Sequence, residues 1–188
     1  MAVTKPGYLR QYVADKDVGA LRPSSRYLVG RLMGCLRPER IRTMVELGPG
    51  PGIATLPILR ALPDGARYVA IEKNPAFSAA LREATADPRL RVVEGDARAV
   101  REILAGQGLG TIDAAIASIP FSFLKKVQRE ALVEDVRGLL AEDGDFVIFH
   151  QFSLLMVPVV KAQFPCVQVQ FEPRNIMPCF LIHCRKGP

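Results

Sequence analysis

Val45-Glu46-Leu47-Gly48-Pro49-Gly50-Pro51-Gly52 closes the apolar run that starts at Thr43 and opens onto a helix-period stretch beginning at Ile53. An acid at a strand end, followed by glycine at alternate positions, lets the backbone turn sharply and approach a ligand at a helix N-terminus, where a Cβ would obstruct. The last glycine is not followed by Lys, so this is not a phosphate loop. Standing alone, the triplet also fits a structural tight turn.

Outward from this point, short apolar runs alternate with longer helical ones. Strands are expected at 43–47, 67–72, 90–94, 112–118, 145–150, 166–171 and 179–184. Helices are expected at 53–62, 75–86, 98–105, 125–140 and 158–164, with Pro75 and Pro158 suited to first turns. That rhythm predicts an α/β fold: a Rossmann-like, seven-stranded, mostly parallel sheet with helices on both faces. The last two strands, joined by the short EPRNIMP loop, read as an antiparallel hairpin.

The 188 residues suit one core, and 49% hydrophobic against 23% charged, with mean hydropathy +0.15, excludes a wholly disordered chain. The net charge of +6 lies entirely in residues 1–42, which hold nine bases and three acids; the remainder balances. A basic arm on an electroneutral domain suits an anionic partner. Two domains follow from this reading: a basic amphipathic N-terminal arm or lid at 1–38, and the α/β domain at 39–188. Tyr8, Leu9, Tyr12 and Val13 form one apolar stripe in the arm, and Ser24 or Ser25 can cap a second helix carrying Leu28, Leu32, Cys35 and Leu36. The four cysteines form no C-x-x-C pair and lack histidines at finger spacing, which argues against a metal and for reduced core thiols. The start lacks an apolar signal region, and the longest greasy stretch is interrupted by His150, Gln151 and Ser153. The expected location is therefore cytoplasmic, with room for attachment to the inner face of a membrane.

Two further acids fall where a nucleoside needs them. Glu72, with Lys73 beside it, ends the second strand 20 residues past Gly52, placed to accept ribose hydroxyls. Asp96 follows the third strand, where it can accept an adenine amino proton while the Ala97 N–H faces a ring nitrogen. The fourth strand runs out into Ser118-Ile119-Pro120-Phe121, whose hydroxyl and carbonyls can accept hydrogens from an amine while Phe121 offers a ring face to cationic nitrogen. Each of these has a plainer alternative, a solvated strand end or a core Phe.

E-L-G-P-G-P-G, Glu72, the Gly95-Asp96 pair and S-I-P-F together resemble the motif series of class I S-adenosylmethionine-dependent methyltransferases. More narrowly, YLRQYVADKDVGALRPSSRYLVGRL, IFHQFS and RNIMPCFLIHCR resemble segments of bacterial phospholipid N-methyltransferases. The resemblance implies S-adenosylmethionine as cofactor, held by Ser24, Ser25, Glu46, Gly48, Gly50, Gly52, Ile53, Glu72, Lys73, Asp96, Ala97 and Ser118. Ser118, Pro120 and Phe121 would carry the chemistry on the amine of phosphatidylethanolamine. Tyr8, Leu9, Tyr12 and Val13 would meet an anionic membrane surface. His150 is a candidate proton acceptor, the alternative being a core histidine. Leu154 stands where the family commonly has an aromatic, and Met177 where a proline is usual. Both departures fall on the acceptor side. Competing readings are an rRNA adenine N-methyltransferase, against which Ser118 replaces the usual Asn, and a non-catalytic S-adenosylmethionine-binding module. Nucleic acid is thus the less favoured partner, and no protein partner is expected.

Overall fold

The computed structural model describes residues 26–151, 153–174 and 178–187. Seven strands form one sheet: β1 Thr43–Leu47, β2 Arg67–Glu72, β3 Leu90–Glu94, β4 Ile112–Ala117, β5 Leu140–Gln151, β6 Cys166–Glu172 and β7 Cys179–Arg185. Their order is β3-β2-β1-β4-β5-β7-β6. β1 to β5 are parallel neighbours, whereas β7 is antiparallel to both β5 and β6. The helices are α1 Arg26–Cys35, α2 Thr55–Ala61, α3 Pro75–Ala84, α4 Val100–Gly106, α5 Lys126–Leu139 and α6 Val157–Lys161.

Alternation along each central strand sends side chains to two cores. Val45, Leu47, Ala115, Ala117, Phe146 and Ile148 pack beneath α4, α5 and α6. Met44, Tyr68, Ala114, Ile116 and Val147 pack beneath α1 and α2. A strand buried on both faces has no solvent side, which is why β1 and β4 read as near-continuous apolar runs rather than alternating ones.

α1 belongs to this covering layer. Leu28, Leu32 and Cys35, spaced four and three residues apart, are buried against the sheet. Two bases of the N-terminal excess are spent inside the fold: Arg31 pairs with Glu172 at 2.5 Å, and Arg37 with Asp145 at 3.0 Å. Residues 26–38 are therefore packed domain rather than a separate arm, and their charge is only partly available to a partner. The expected stripe of Tyr8, Leu9, Tyr12 and Val13 lies outside the described residues, as do Ser24 and Ser25.

Asp145 is the knot of this half. Its buried carboxylate also takes His183 Nε2 at 2.7 Å and Arg185 at 3.3 Å, joining the segment after α1 to β5 and β7. Burial alone would raise its pKa, but the bonds to His183 and Arg37 outweigh that and hold it below the ordinary carboxylate value. β5 begins directly after α5, five residues earlier than expected. A register shift between the Ile112–Leu140 and Ala114–Asp145 pairs absorbs the Ala-Glu-Asp-Gly stretch that reads as a loop. The four cysteines are free thiols, and burial pushes those of Cys179 and Cys184 up to about 12.

Candidate functional site

The parallel strands all end on one rim, and the glycine loop leaves it from β1. The loop is tied on both sides: Gly48 N donates to Ile71 O at 2.9 Å, and Ser118 N donates to Leu47 O at 2.8 Å. The three glycines serve different needs. Gly48, at φ +76°, lies so near the β4 exit that a Cβ would sit 2.9 Å from Ser118 O and 2.8 Å from Ile119 Cγ2. Gly52, at φ +91°, leaves no room for a side chain because Leu81 of α3 fills the place, so it serves packing rather than a ligand. At Gly50 a Cβ would meet nothing within 4 Å, so the open part of the loop is its middle. Residues 50–54 are used in turns, so α2 starts at Thr55, two residues after Ile53, which is half-buried.

Glu72, 8% exposed, locks this loop. Its Oε2 accepts the Gly50 N–H at 2.9 Å and its Oε1 accepts the Asn74 N–H at 2.8 Å. A carboxylate offers about four lone-pair sites, and these amides occupy one on each oxygen. Asn74 caps α3 by accepting from Ala76 and Phe77, with Pro75 in the first turn as expected. Lys73 is exposed, and its charge also acts on Asp96.

Asp96 caps a 3-10 turn and is gripped by Arg98, at 2.9 Å to Nε and 2.7 Å to a terminal nitrogen. That grip holds its pKa at about 2. The Asp96 side chain remains one-third exposed, at 33%, and borders a cleft of about 430 Å³ shared with Arg98, Ala99, Glu102, Gln128 and Leu132. Ala97 is buried beside it.

Glu46 lies beneath the loop, almost completely buried. Its Oε2 accepts the hydroxyls of Thr55 and Tyr68, each at 2.6 Å, while its Oε1 is buried without a partner. Burial pushes the carboxyl up to about 7 despite those two bonds, and the charge of Glu72 adds to the rise. The acid was legible in the sequence; its two hydroxyl partners were not, although a Tyr and a Thr inside apolar segments are the type of signal that points to a buried acceptor.

Ser118 and Pro120 are half-buried at the rim, next to the glycine loop as the motif order implied. Phe121 departs from expectation: its ring is fully buried in the core rather than displayed to solvent. It stands edge-on to the His150 imidazole, with centroids 6.0 Å apart and planes at 70°. His150 is half-buried near the end of β5, and its Nδ1 is buried without a hydrogen-bond partner. Burial lowers its pKa, only partly offset by the Ser153 backbone. Of the chain's two histidines, His183 is fixed by Asp145, and His150 is the one with an unsatisfied ring nitrogen at the rim.

The open middle of the loop at Gly50, the Glu72 carboxylate that ties it and the orphaned Glu46 oxygen beneath fit a cationic, hydroxyl-bearing nucleoside. Comparison with known proteins agrees. Residues 44–144 match a family described as methyltransferase domain. An ornithine lipid N-methyltransferase of Singulisphaera acidiphila is 32% identical over 170 residues, spanning 89% of this chain and 88% of that protein. A ribosomal RNA small subunit methyltransferase A of Acidithiobacillus ferrooxidans is 32% identical over 95 residues, only 50% of this chain and 34% of that one. In fold, the 16S rRNA N2 G1207 methyltransferase of T. thermophilus, solved with AdoMet and guanosine, superposes with a TM-score of 0.66 at 23% identity, over 91% of this chain and 45% of that one. With residues 44–144, more than half of its length, matched by the family model, and with the glycine loop and acidic strand ends gathered on the rim of a sheet of this order, the chain belongs to the class I S-adenosylmethionine-dependent methyltransferases.

Proposed function

We propose that the enzyme methylates the amine of a membrane lipid headgroup, phosphatidylethanolamine, in successive rounds towards phosphatidylcholine. The observation that carries this reading is the unpartnered, buried His150 nitrogen beside Phe121 at the rim, a place for an amine to lose its proton. Support comes also from the lipid N-methyltransferase of Singulisphaera acidiphila, which is similar over nearly the whole chain, whereas the rRNA enzyme is similar over half of it.

S-adenosylmethionine supplies a sulfonium methyl that is already electrophilic. What remains for the protein is to bring a neutral amine into line and keep water out. Glu72 and Asp96 accept hydrogens from the nucleoside, and Gly50 gives the backbone room beside it. The Ser118 hydroxyl accepts an N–H from the headgroup and fixes the nitrogen's direction. His150, kept neutral by burial, takes the ammonium proton on its free ring nitrogen, which leaves the amine lone pair available. Phe121 packs against the imidazole and holds its plane.

No helix among the described residues is long and apolar enough to cross a membrane. Peripheral attachment at a cytoplasmic membrane face, through the stripe at Tyr8, Leu9, Tyr12 and Val13, is part of the proposal. Labelled S-adenosylmethionine offered with vesicles of phosphatidylethanolamine, vesicles of ornithine lipid, and ribosomal RNA in parallel tests it. Label entering phosphatidylethanolamine supports the reading, label confined to ornithine lipid moves the acceptor within the aminolipids, and label confined to RNA defeats it.

A further inference from the structure

His150 of β5, Phe180 of β7 and Phe171 of β6 face one another in register, and directly opposed residues of antiparallel strands project from the same face. Phe121 meets His150 from the β4 side at 6.0 Å, and the Phe171 and Phe180 rings stand 5.0 Å apart. The four rings thus form a row along the rim, from the S-I-P-F segment to the sheet edge. Exposure rises along it: Phe121 is fully buried, His150 and Phe180 are half-buried, and Phe171 is 47% exposed. The next row inward, Ile148, Ile182 and Val169, ends the same way, with Val169 at 42%.

β6 is polarised in an unexpected sense. Val167, Val169 and Phe171 share the face of this row, while Gln170 and Glu172 turn to the other and bond to Arg31. Only five residues long, α6 spans roughly 7.5 Å, enough for Val167 to pack into the core but not for the outer positions. Among the described residues nothing covers this apolar strip, which is continuous at its inner end with the residues assigned to the amine.

We infer that this strip, from His150 through Phe180 to Phe171 and Val169, receives the acyl chain of the acceptor lipid and so selects an amine that carries a hydrocarbon tail. The inference rests on the aminolipid reading above. A second copy of the chain fits the strip less well. Phe171 and Val169 expose on the order of 200 Å² together, against roughly 800 Å² per partner in a stable interface. A single chain needs only a line of contact, and the two strand spacings from β5 to β6 make that line roughly 10 Å long.

The test is a homologous series of single-chain phosphoethanolamine lipids kept below their micelle concentrations, with glycerophosphoethanolamine as the tail-less acceptor. In the unaltered enzyme KM should fall with each added methylene, by up to about fourfold per CH2 fully buried, and level off once the tail outruns the row. Phe171→Asp and, separately, Val169→Asp should flatten that slope while leaving kcat/KM for glycerophosphoethanolamine unchanged. Both sites are exposed, so circular dichroism should report intact folds. Retention of the slope in both variants overturns the inference, as does an unaltered enzyme that methylates these lipids with no dependence on tail length. Either result leaves the aminolipid reading standing, whereas failure to methylate any aminolipid removes both. A dimer dissolved by Phe171→Asp with the slope intact would give the strip to a second copy instead.

Discussion

Tyr68 donates its hydroxyl to Glu46 Oε2 at 2.6 Å across a fully buried space, and Thr55 donates to the same oxygen from the first turn of α2. One carboxyl oxygen therefore gathers β1, β2 and the helix after the glycine loop, while the other has nothing to bond. Charging it is costly, hence the rise to about 7. Between pH 4.5 and 7 the folded state holds this proton and the unfolded chain does not, so Glu46's contribution to stability is full below about 4.5 and lost as pH rises through 7. The loss is about 3 kcal/mol at most. Glu46→Gln should show a shallower decline in Tm over that interval by calorimetry, and an unchanged profile would refute the assignment.

Glu72 holds the glycine loop by accepting the Gly50 N–H, and in the proposed function it also meets the nucleoside. Glu72→Ala removes a charged acceptor worth roughly 1.5–3 kcal/mol. The Kd for S-adenosylhomocysteine, measured calorimetrically, should weaken by about ten- to a hundredfold, with some loss of Tm because two amides lose their acceptor. Equal affinity in the two proteins would place the nucleoside elsewhere. Gly48→Ala should weaken binding too, since its Cβ would press on Ser118 O.

His150 should leave its mark on the pH profile. With its pKa below the usual imidazole value, kcat/KM falls as pH drops through that lowered pKa, on top of the acceptor's own ionisation. His150→Gln should abolish the imidazole limb and cut kcat by roughly a hundredfold or more, and added imidazole should partly rescue His150→Ala. With only two histidines in the chain, the His150 imidazole signal can be assigned by NMR from the loss of one resonance in His150→Gln. A variant with full activity and the same limb would leave His150 a packing residue.

Glu172 accepts from both Arg31 and Arg174 and is held at about 2, chiefly by Arg174. A depressed carboxylate pKa contributes stability that is complete above about 4.5 and lost as pH falls through 2. Glu172→Gln should therefore lower Tm near neutrality and converge with the parent protein in strong acid. Because Arg31 is engaged inside the fold, Arg31→Ala should reduce Tm more than it reduces binding to anionic vesicles, as co-sedimentation would show.

Six of the seven strands match the windows that periodicity marks out to within one residue at either end, because each is a short apolar run bounded by turn residues; β5 is the exception. Boundaries shifted where a turn or register shift took over residues: α2 starts late because Gly50 to Ala54 form turns, and β5 starts early because the chain passes through a register shift between Leu140 and Asp145 instead of leaving the sheet. The rim was readable for the same reason, since glycines and acids at strand ends stand out against apolar neighbours. The pairs that join Arg31 to Glu172 and Arg37 to Asp145 lie more than a hundred residues apart and leave no periodic trace. Nor does periodicity tell a buried Phe121 from a displayed one. That depends on how β5 and α5 pack around it.

β7, the last strand in the chain, lies between β5 and β6 rather than at the border. During synthesis, β6 has no neighbour to join until residues 179–185 leave the ribosome, so the half of the sheet beyond β5 closes only once β7 has emerged. Until then Phe149 and Val147 have an open flank, and a nascent chain that stalls there offers its unfinished sheet to other chains.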